Sequence, residues 1–212
     1  WLGNDTNAVT GVIGKCTDIH EEITELDFLK QTASIDDVTG LYRRNYARRK
    51  IKEAIGKKYS VNKKYALMLF DLDFFKKAND LYGHMFGDEV LRQAAQRVQK
   101  SVRESDIVAR IGGDEFLIFV EYKMDISSVA ERIFQSIGGI YQGFHICASM
   151  GVALAPKHAA EYEALFHCAD QALYAAKQKG RNCYCIYDDS MDMVFCPYYQ
   201  NNRFMRKRQD EI

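Results

Sequence analysis

The sequence predicts a fold of the α/β or α+β kind, a sheet wrapped by helices, and three observations predict it. Residues 65–70 form a continuous apolar run of strand length that ends abruptly in Asp71-Leu72-Asp73, the mark of a strand covered on both faces. Residues 107–120 place Gly112-Gly113 between two apolar runs, which reads as a tight hairpin whose glycines supply positive φ. Residues 88–102 space Val90, Leu91, Ala94, Ala95, Val98 and Val102 as one helical stripe, with Asp88 and Glu89 at the positive helix N-terminus.

The remaining elements follow in order. Residues 9–18 read as a strand and 19–34 as an acidic amphipathic helix; Ile19, Leu26 and Ala33 stand seven apart, as a parallel coiled-coil stripe requires, and a helix packed on its own domain fits equally well. A basic helix is predicted over 45–59, a strand over 64–71, and a short helix after Asp73. Beyond the 88–102 helix and the hairpin strands 107–111 and 115–120 come a helix over 126–137 and an alternating strand over 145–154. A last helix over 161–179, stopped by Gly180, leads to a strand over 183–187.

Composition narrows the function classes. The 212 residues carry 29 basic and 29 acidic side chains, so no global field favours nucleic acid or an anionic membrane. Between Arg43 and Lys64 the basic residues face only Glu53, yet no aromatics interleave for base stacking, and a solvated helix face accounts for them. Arg203, Arg206, Lys207 and Arg208 in the tail are equally uninformative. No run of about eighteen apolar residues and no signal-peptide pattern is present, which points to a cytoplasmic protein or the cytoplasmic part of a longer, membrane-attached one. Cysteines at 16, 147, 168, 183, 185 and 196 lack metal-type spacing and read as reduced thiols, with Cys147 and Cys168 in the core and Cys183 and Cys185 on one strand face. The chain opens on Trp1, and a piece of a longer protein is expected.

Two acid clusters carry the chemistry. Asp71 and Asp73 lie at the end of one apolar strand and point to the same face, and Asp114 and Glu115 emerge at the hairpin bend. Either cluster alone is an ordinary turn or cap. Together, each at a strand end, they suit Mg²⁺, which takes hard oxygen ligands from one or two carboxylates plus substrate phosphates.

At this point the residues resemble a known family, the GGDEF-domain diguanylate cyclases, over roughly residues 35–190. Five ordered motifs carry the resemblance: Asp37-Val-Thr-Gly-Leu-Tyr-Arg-Arg44, Phe70-Asp-Leu-Asp-Phe-Phe-Lys-Lys-Ala-Asn-Asp80, Tyr82-Gly-His-Met-Phe-Gly-Asp88-Glu-Val-Leu91, Gly112-Gly-Asp-Glu-Phe116 and Ala172-Leu-Tyr-Ala-Ala-Lys177-Gln-Lys-Gly-Arg181-Asn182. Residues 1–34 are similar to the end of a PAS-like sensor and its linker helix, which leaves 191–212 as a C-terminal extension. The resemblance implies a ferredoxin-like nucleotidyl-cyclase palm with a central, mainly antiparallel sheet.

It also implies an activity, in which two GTP molecules held by a homodimer become cyclic di-GMP as each 3′-hydroxyl attacks the other's α-phosphate. Asp71, the Leu72 carbonyl and Asp114 would hold two Mg²⁺ or Mn²⁺ ions about 3.5–4 Å apart. Glu115 would be a further ligand or the proton acceptor. With no Walker-type loop in the chain, turn amides around Phe74, Phe75 and Lys76 and the side chains of Lys76, Lys177 and Arg181 would meet the phosphates. Asn79 and Asp88 would read guanine, whose N1 and N2 protons a carboxylate accepts. Arg103 and Asp106, with a contribution from Arg110, resemble an inhibitory site for the product, a local ion pair being the plain alternative. The competing function is a silent GGDEF domain that binds GTP or cyclic di-GMP as an effector.

Overall fold

The computed structural model describes residues 2–3, 9–11, 34–56, 63–123 and 125–193, and the chain divides into two compact units, 1–33 and 34–212. In the first, strands β1 (Leu2–Gly3) and β2 (Val9–Gly11) pair antiparallel. The expected linker helix, the rest of the PAS-like segment and residues 194–212 lie outside the described residues.

The second unit is built on a six-stranded sheet. Its strands are β3 (Tyr42–Arg43), β4 (Lys64–Leu72), β5 (Ile107–Gly112), β6 (Glu115–Tyr122), β9 (Ala148–Ala155) and β10 (Tyr184–Ile186), in the order β10-β9-β4-β6-β5-β3. The edge pairs β10/β9 and β3/β5 are parallel and the inner pairs antiparallel. The mainly antiparallel α+β architecture is therefore the one that forms. A separate hairpin joins β7 (Gly139–Tyr141) to β8 (Phe144–Ile146).

Period-two alternation along β4 divides the core into two layers. Ala66, Met68, Phe70 and Leu72 pack with Val90, Leu91, Ala94, Ala95 and Val98 of one helix, α3 (His84–Ser101), and with Ile133 and Ile137 of another, α4 (Ile126–Ile137). Tyr65, Leu67 and Leu69 face the other way, onto Ala47 and Ile51 of α1 (Arg44–Gly56) and onto Leu165, Ala169, Ala172 and Ala176 of α5 (Tyr162–Gln178). By the same alternation Asp71 continues the α1/α5 face. Helix α5 lies so close to β9 that a Cβ on Gly151 would stand 2.1 Å from the Ala169 carbonyl oxygen. Among the described residues no helix is long and apolar enough to cross a membrane.

Three expectations are corrected. Helix α3 starts at His84, separated from α2 (Phe75–Tyr82) by Gly83 at φ 85°, so Asp88 and Glu89 occupy its second turn and do not cap it. The strand expected over 145–154 is two strands in different sheets: β8 pairs with β7 and β9 with β4, and between them the Cys147 carbonyl accepts the amide of Asp73 at 2.8 Å. In the β5–β6 hairpin only Gly113 takes positive φ (50°), at the first position of a Gly113-Asp114 loop, while Gly112 stays in the ladder opposite Glu115. Of the thiols, Cys168 and Cys185 are buried, whereas Cys147 and Cys183 are half-buried.

Candidate active site

The eight-pair ladder between β4 and β6 ends with Asp71 directly opposite Glu115. Both side chains therefore stand on the α5 face, beyond Leu69 and Leu117. The hairpin loop brings Asp114 beside them, and the Leu72 amide donates to the Asp114 carbonyl at 3.2 Å. Lys177, in the last turn of α5, reaches back to Asp71 with Nζ 2.9 Å from Oδ2.

Charge is in excess here. Burial pushes the Asp71 carboxyl above its usual range, Lys177 opposes that shift, and Asp114 and Asp73 add to it. Glu115 is likewise raised, first by burial and then by Asp71, with Asp114 and Asp170 contributing. Among the described residues no three acidic, histidine or cysteine side chains form a ready cage for a metal. Crowded hard-oxygen carboxylates with raised proton affinity are nonetheless a donor set that a divalent cation fits, and a cation would relieve the repulsion.

Asp73 is buried and faces inward from the same strand end. Its Oδ1 accepts the Ser149 hydroxyl at 2.8 Å and its Oδ2 accepts the Asn182 amide at 2.9 Å. Phe74 follows at φ 60° and precedes α2, whose first turn carries Phe75 and an exposed Lys76. Lys177 and Arg181 were expected one helical turn apart on one helix. Instead the helix ends at Gln178, and Arg181 sits in the turn beyond Gly180 at φ 66°, with its guanidinium carbon 5.4 Å from the Phe74 ring centroid. Gly180, at φ 111°, makes that turn available, and both cations still stand at the acid cluster.

Asn79 packs on Gly87, where a Cβ would stand 1.9 Å from its Oδ1; this sets it beside the neighbour of Asp88. Asp88 lines a cleft of about 500 Å³ with Met85, Phe86, Arg92 and Tyr141.

Two of the three residues expected at a product site line one cleft. Arg103 and Asp106 line a cleft of about 410 Å³ with Tyr42 and Gln99. They form no side-chain ion pair: the Asp106 carboxylate accepts the Arg103 amide at 2.8 Å. Arg110 does not belong with them. Its Nε donates to the Gly113 carbonyl at 2.8 Å and its Nη1 to Asp36 at 3.0 Å, tying the hairpin loop to the Asp36–Thr39 turn. Nothing in the local sequence signalled that pair, whose members are 74 residues apart. The inward bonds of Asp73 were half legible, since alternation set it on the Asp71 face.

Comparison with known proteins gives this geometry a family. The sequence family described as "Diguanylate cyclase, GGDEF domain" matches residues 33–183. The chain is 37% identical over 170 residues to the bifunctional diguanylate cyclase/cyclic di-GMP phosphodiesterase MucR of Pseudomonas aeruginosa, covering 77% of this chain and 25% of that protein. It is 34% identical over 198 residues to the cyclic di-GMP phosphodiesterase PdeR of Escherichia coli, covering 90% and 30%. The chain thus spans between a quarter and a third of the length of these relatives. Among solved structures, a TpbB variant from Pseudomonas aeruginosa comprising only the GGDEF domain aligns with a TM-score of 0.69 at 31% identity, covering 76% of this chain and 98% of that one. The sheet described above is accordingly the palm of nucleotidyl cyclases, and the chain belongs to the GGDEF-domain family of diguanylate cyclases.

Proposed function

We propose that this domain condenses two GTP molecules into cyclic di-GMP and two pyrophosphates, as a cytoplasmic homodimer carrying one GTP per protomer. The observation that carries this reading is the cross-strand Asp71–Glu115 pair, with Asp114 at the adjoining loop and Lys177 held against it. Asp71, the Leu72 carbonyl and Asp114 would hold two Mg²⁺ or Mn²⁺ ions. When bound, such ions lower the pKa of a 3′-hydroxyl and neutralise charge on the leaving pyrophosphate.

The chain's own groups do the rest. Glu115, with its raised proton affinity, is suited to accept the 3′-hydroxyl proton as the new O–P bond forms and the bond to pyrophosphate breaks. Lys177 is already positioned by Asp71 and would transfer its contact to the phosphates, with Arg181 and Lys76 beside it. The Phe75 and Lys76 amides open α2, and helix N-termini favour anions. Asn79 and Asp88 would read the guanine edge. Arg103 and Asp106 would bind accumulated product in their cleft.

Incubating the purified chain with GTP and Mg²⁺ and resolving the products by chromatography tests the proposal. Cyclic di-GMP should accumulate, ATP offered alone should give no cyclic product, and Asp114→Ala should abolish turnover with the thermal midpoint preserved. Full turnover in Asp114→Ala would sink the metal assignment. The match to PdeR favours one second reading, a domain that binds GTP or cyclic di-GMP without making product. Nucleotide binding by a protein that yields no product would select it.

A further inference from the structure

Three segments meet at Asp73, the acid for which the reaction above has no use: the end of β4, the β8–β9 connection and the turn after α5. The carboxylate closes the end of β4, its side chain is 1% exposed, and both oxygens are engaged by the protein itself. Ser149, also fully buried, donates from the beginning of β9. Asn182 donates its backbone amide from the turn after α5, and the amide of Asp73 donates to Cys147 between β8 and β9.

The turn it grips is an improbable one. Arg181 and Asn182 follow each other at φ 66° and 46°, a conformation that costs a non-glycine residue free energy unless its surroundings impose it. Two bonds impose it here. The Arg181 amide donates to the Ala176 carbonyl at 3.2 Å, and the next amide, that of Asn182, donates to Asp73. With the backbone pinned on both sides of Arg181, its side chain is aimed over the Phe74 ring, and Nε stands 4.0 Å from Asp73 Oδ1. A buried carboxylate bonded to a backbone amide is a charge-assisted contact, stronger than a neutral one.

We propose that Asp73 is a positioning residue: through Ser149 and the Asn182 amide it locks the turn at 180–182 and so presents the Arg181 guanidinium to the phosphates of the substrate. The role rests on the GTP reading for its consequence, but not for the lock itself. Asp73→Asn keeps the shape while replacing one acceptor oxygen with an NH₂ group, which can no longer receive one of its two donors.

The test has two arms. Deuterium exchange reads the lock without any nucleotide: in Asp73→Asn the Asn182 amide should exchange at least tenfold faster, while β4 and β6 keep their protection. Affinity for a fluorescent GTP analogue in Mg²⁺ reads the consequence. Asp73→Asn should weaken binding about tenfold in the wild-type background and little in an Arg181→Ala background, because the effect runs through Arg181. Ser149→Ala should give a smaller change of the same pattern. Unchanged exchange at Asn182 overturns the proposal whether or not the protein makes cyclic di-GMP. An equal loss of affinity in both backgrounds overturns it too, by showing that Asp73 acts on substrate independently of Arg181. A wild-type protein that binds no GTP analogue would instead reject the function proposed for the site, and the exchange arm would still decide the lock.

Discussion

At the scale of single residues, the site works by leaving charges partly unsatisfied. Asp71 has one cation, Lys177, against the acids Asp114 and Asp73, and Glu115 lies opposite it on the ladder. Arg103 shows the same economy at the second cleft: Asp106 is occupied by a backbone amide, and no side-chain partner of the Arg103 guanidinium is found among the described residues. A guanidinium so placed can grip guanine or phosphate by two parallel bonds. Arg103→Ala should therefore raise the inhibition constant for cyclic di-GMP at least tenfold, a change of about 1.4 kcal/mol, with the initial rate unaltered. Superimposable progress curves for the variant and the wild type would remove the product site. Arg110 is spoken for by Asp36 and the Gly113 carbonyl, so its loss should loosen the hairpin loop and leave product binding alone.

At the scale of elements, α5 packs against β9 at backbone contact. The Cβ of a Gly151→Ala variant would meet backbone atoms of Ala169 and Leu173, which cannot rotate away. The helix must lift, and overpacking of this kind costs about 1–3 kcal/mol or more. Because α5 also carries Lys177, the variant should lose both thermal stability and GTP affinity; a melting temperature equal to that of the wild type would contradict the packing described. Elements of this kind were unevenly legible in the sequence. Strand β4 and helices α3, α4 and α5 were visible because an apolar run or stripe is a local pattern, and the acids at the β4 and hairpin ends came with them. The break at Cys147 was hidden, since Ile146, Ala148 and Met150 alternate straight through it, and the bond of its carbonyl to the Asp73 amide is a long-range one. The displacement of Arg181 from its helix was hidden for a similar reason: a lysine and an arginine four apart read as helical neighbours, and Gly180 between them was a stop signal without a direction. The pairing of Asp36 with Arg110 had no local trace at all.

At the scale of the whole molecule, the opposing charge arrangements set the pH response. Asp71 and Glu115 bind protons more tightly folded than unfolded, so their contribution to stability is complete below the ordinary carboxylate range and is lost as pH rises through their raised values. Glu163 works in the other direction. Lys52 and Arg48, bridging α1 to α5, hold it down to about 2, so its contribution is present above 4.5 and is lost as acid titrates it. Its side chain is 46% exposed, and solvent screening keeps that term small. Thermal melts in chelator from acid to neutral pH should thus show the active-site acids as a penalty that grows with pH, and Glu115→Gln should raise the neutral-pH midpoint and flatten that slope. Identical slopes in the two proteins would mean that the site is not strained by its own charge. The register of β4 against β6 has a last consequence. Asp71 meets Glu115 only when every pair back to Lys64 and Tyr122 is aligned, because the same ladder seats Leu67 on Phe119 and Phe70 on Phe116. A slip of one residue would turn Asp71 into the α3/α4 layer and Phe70 out toward Lys177. Correct strand pairing and possession of the acid pair are consequently one event: a mispaired copy lacks the facing carboxylates altogether.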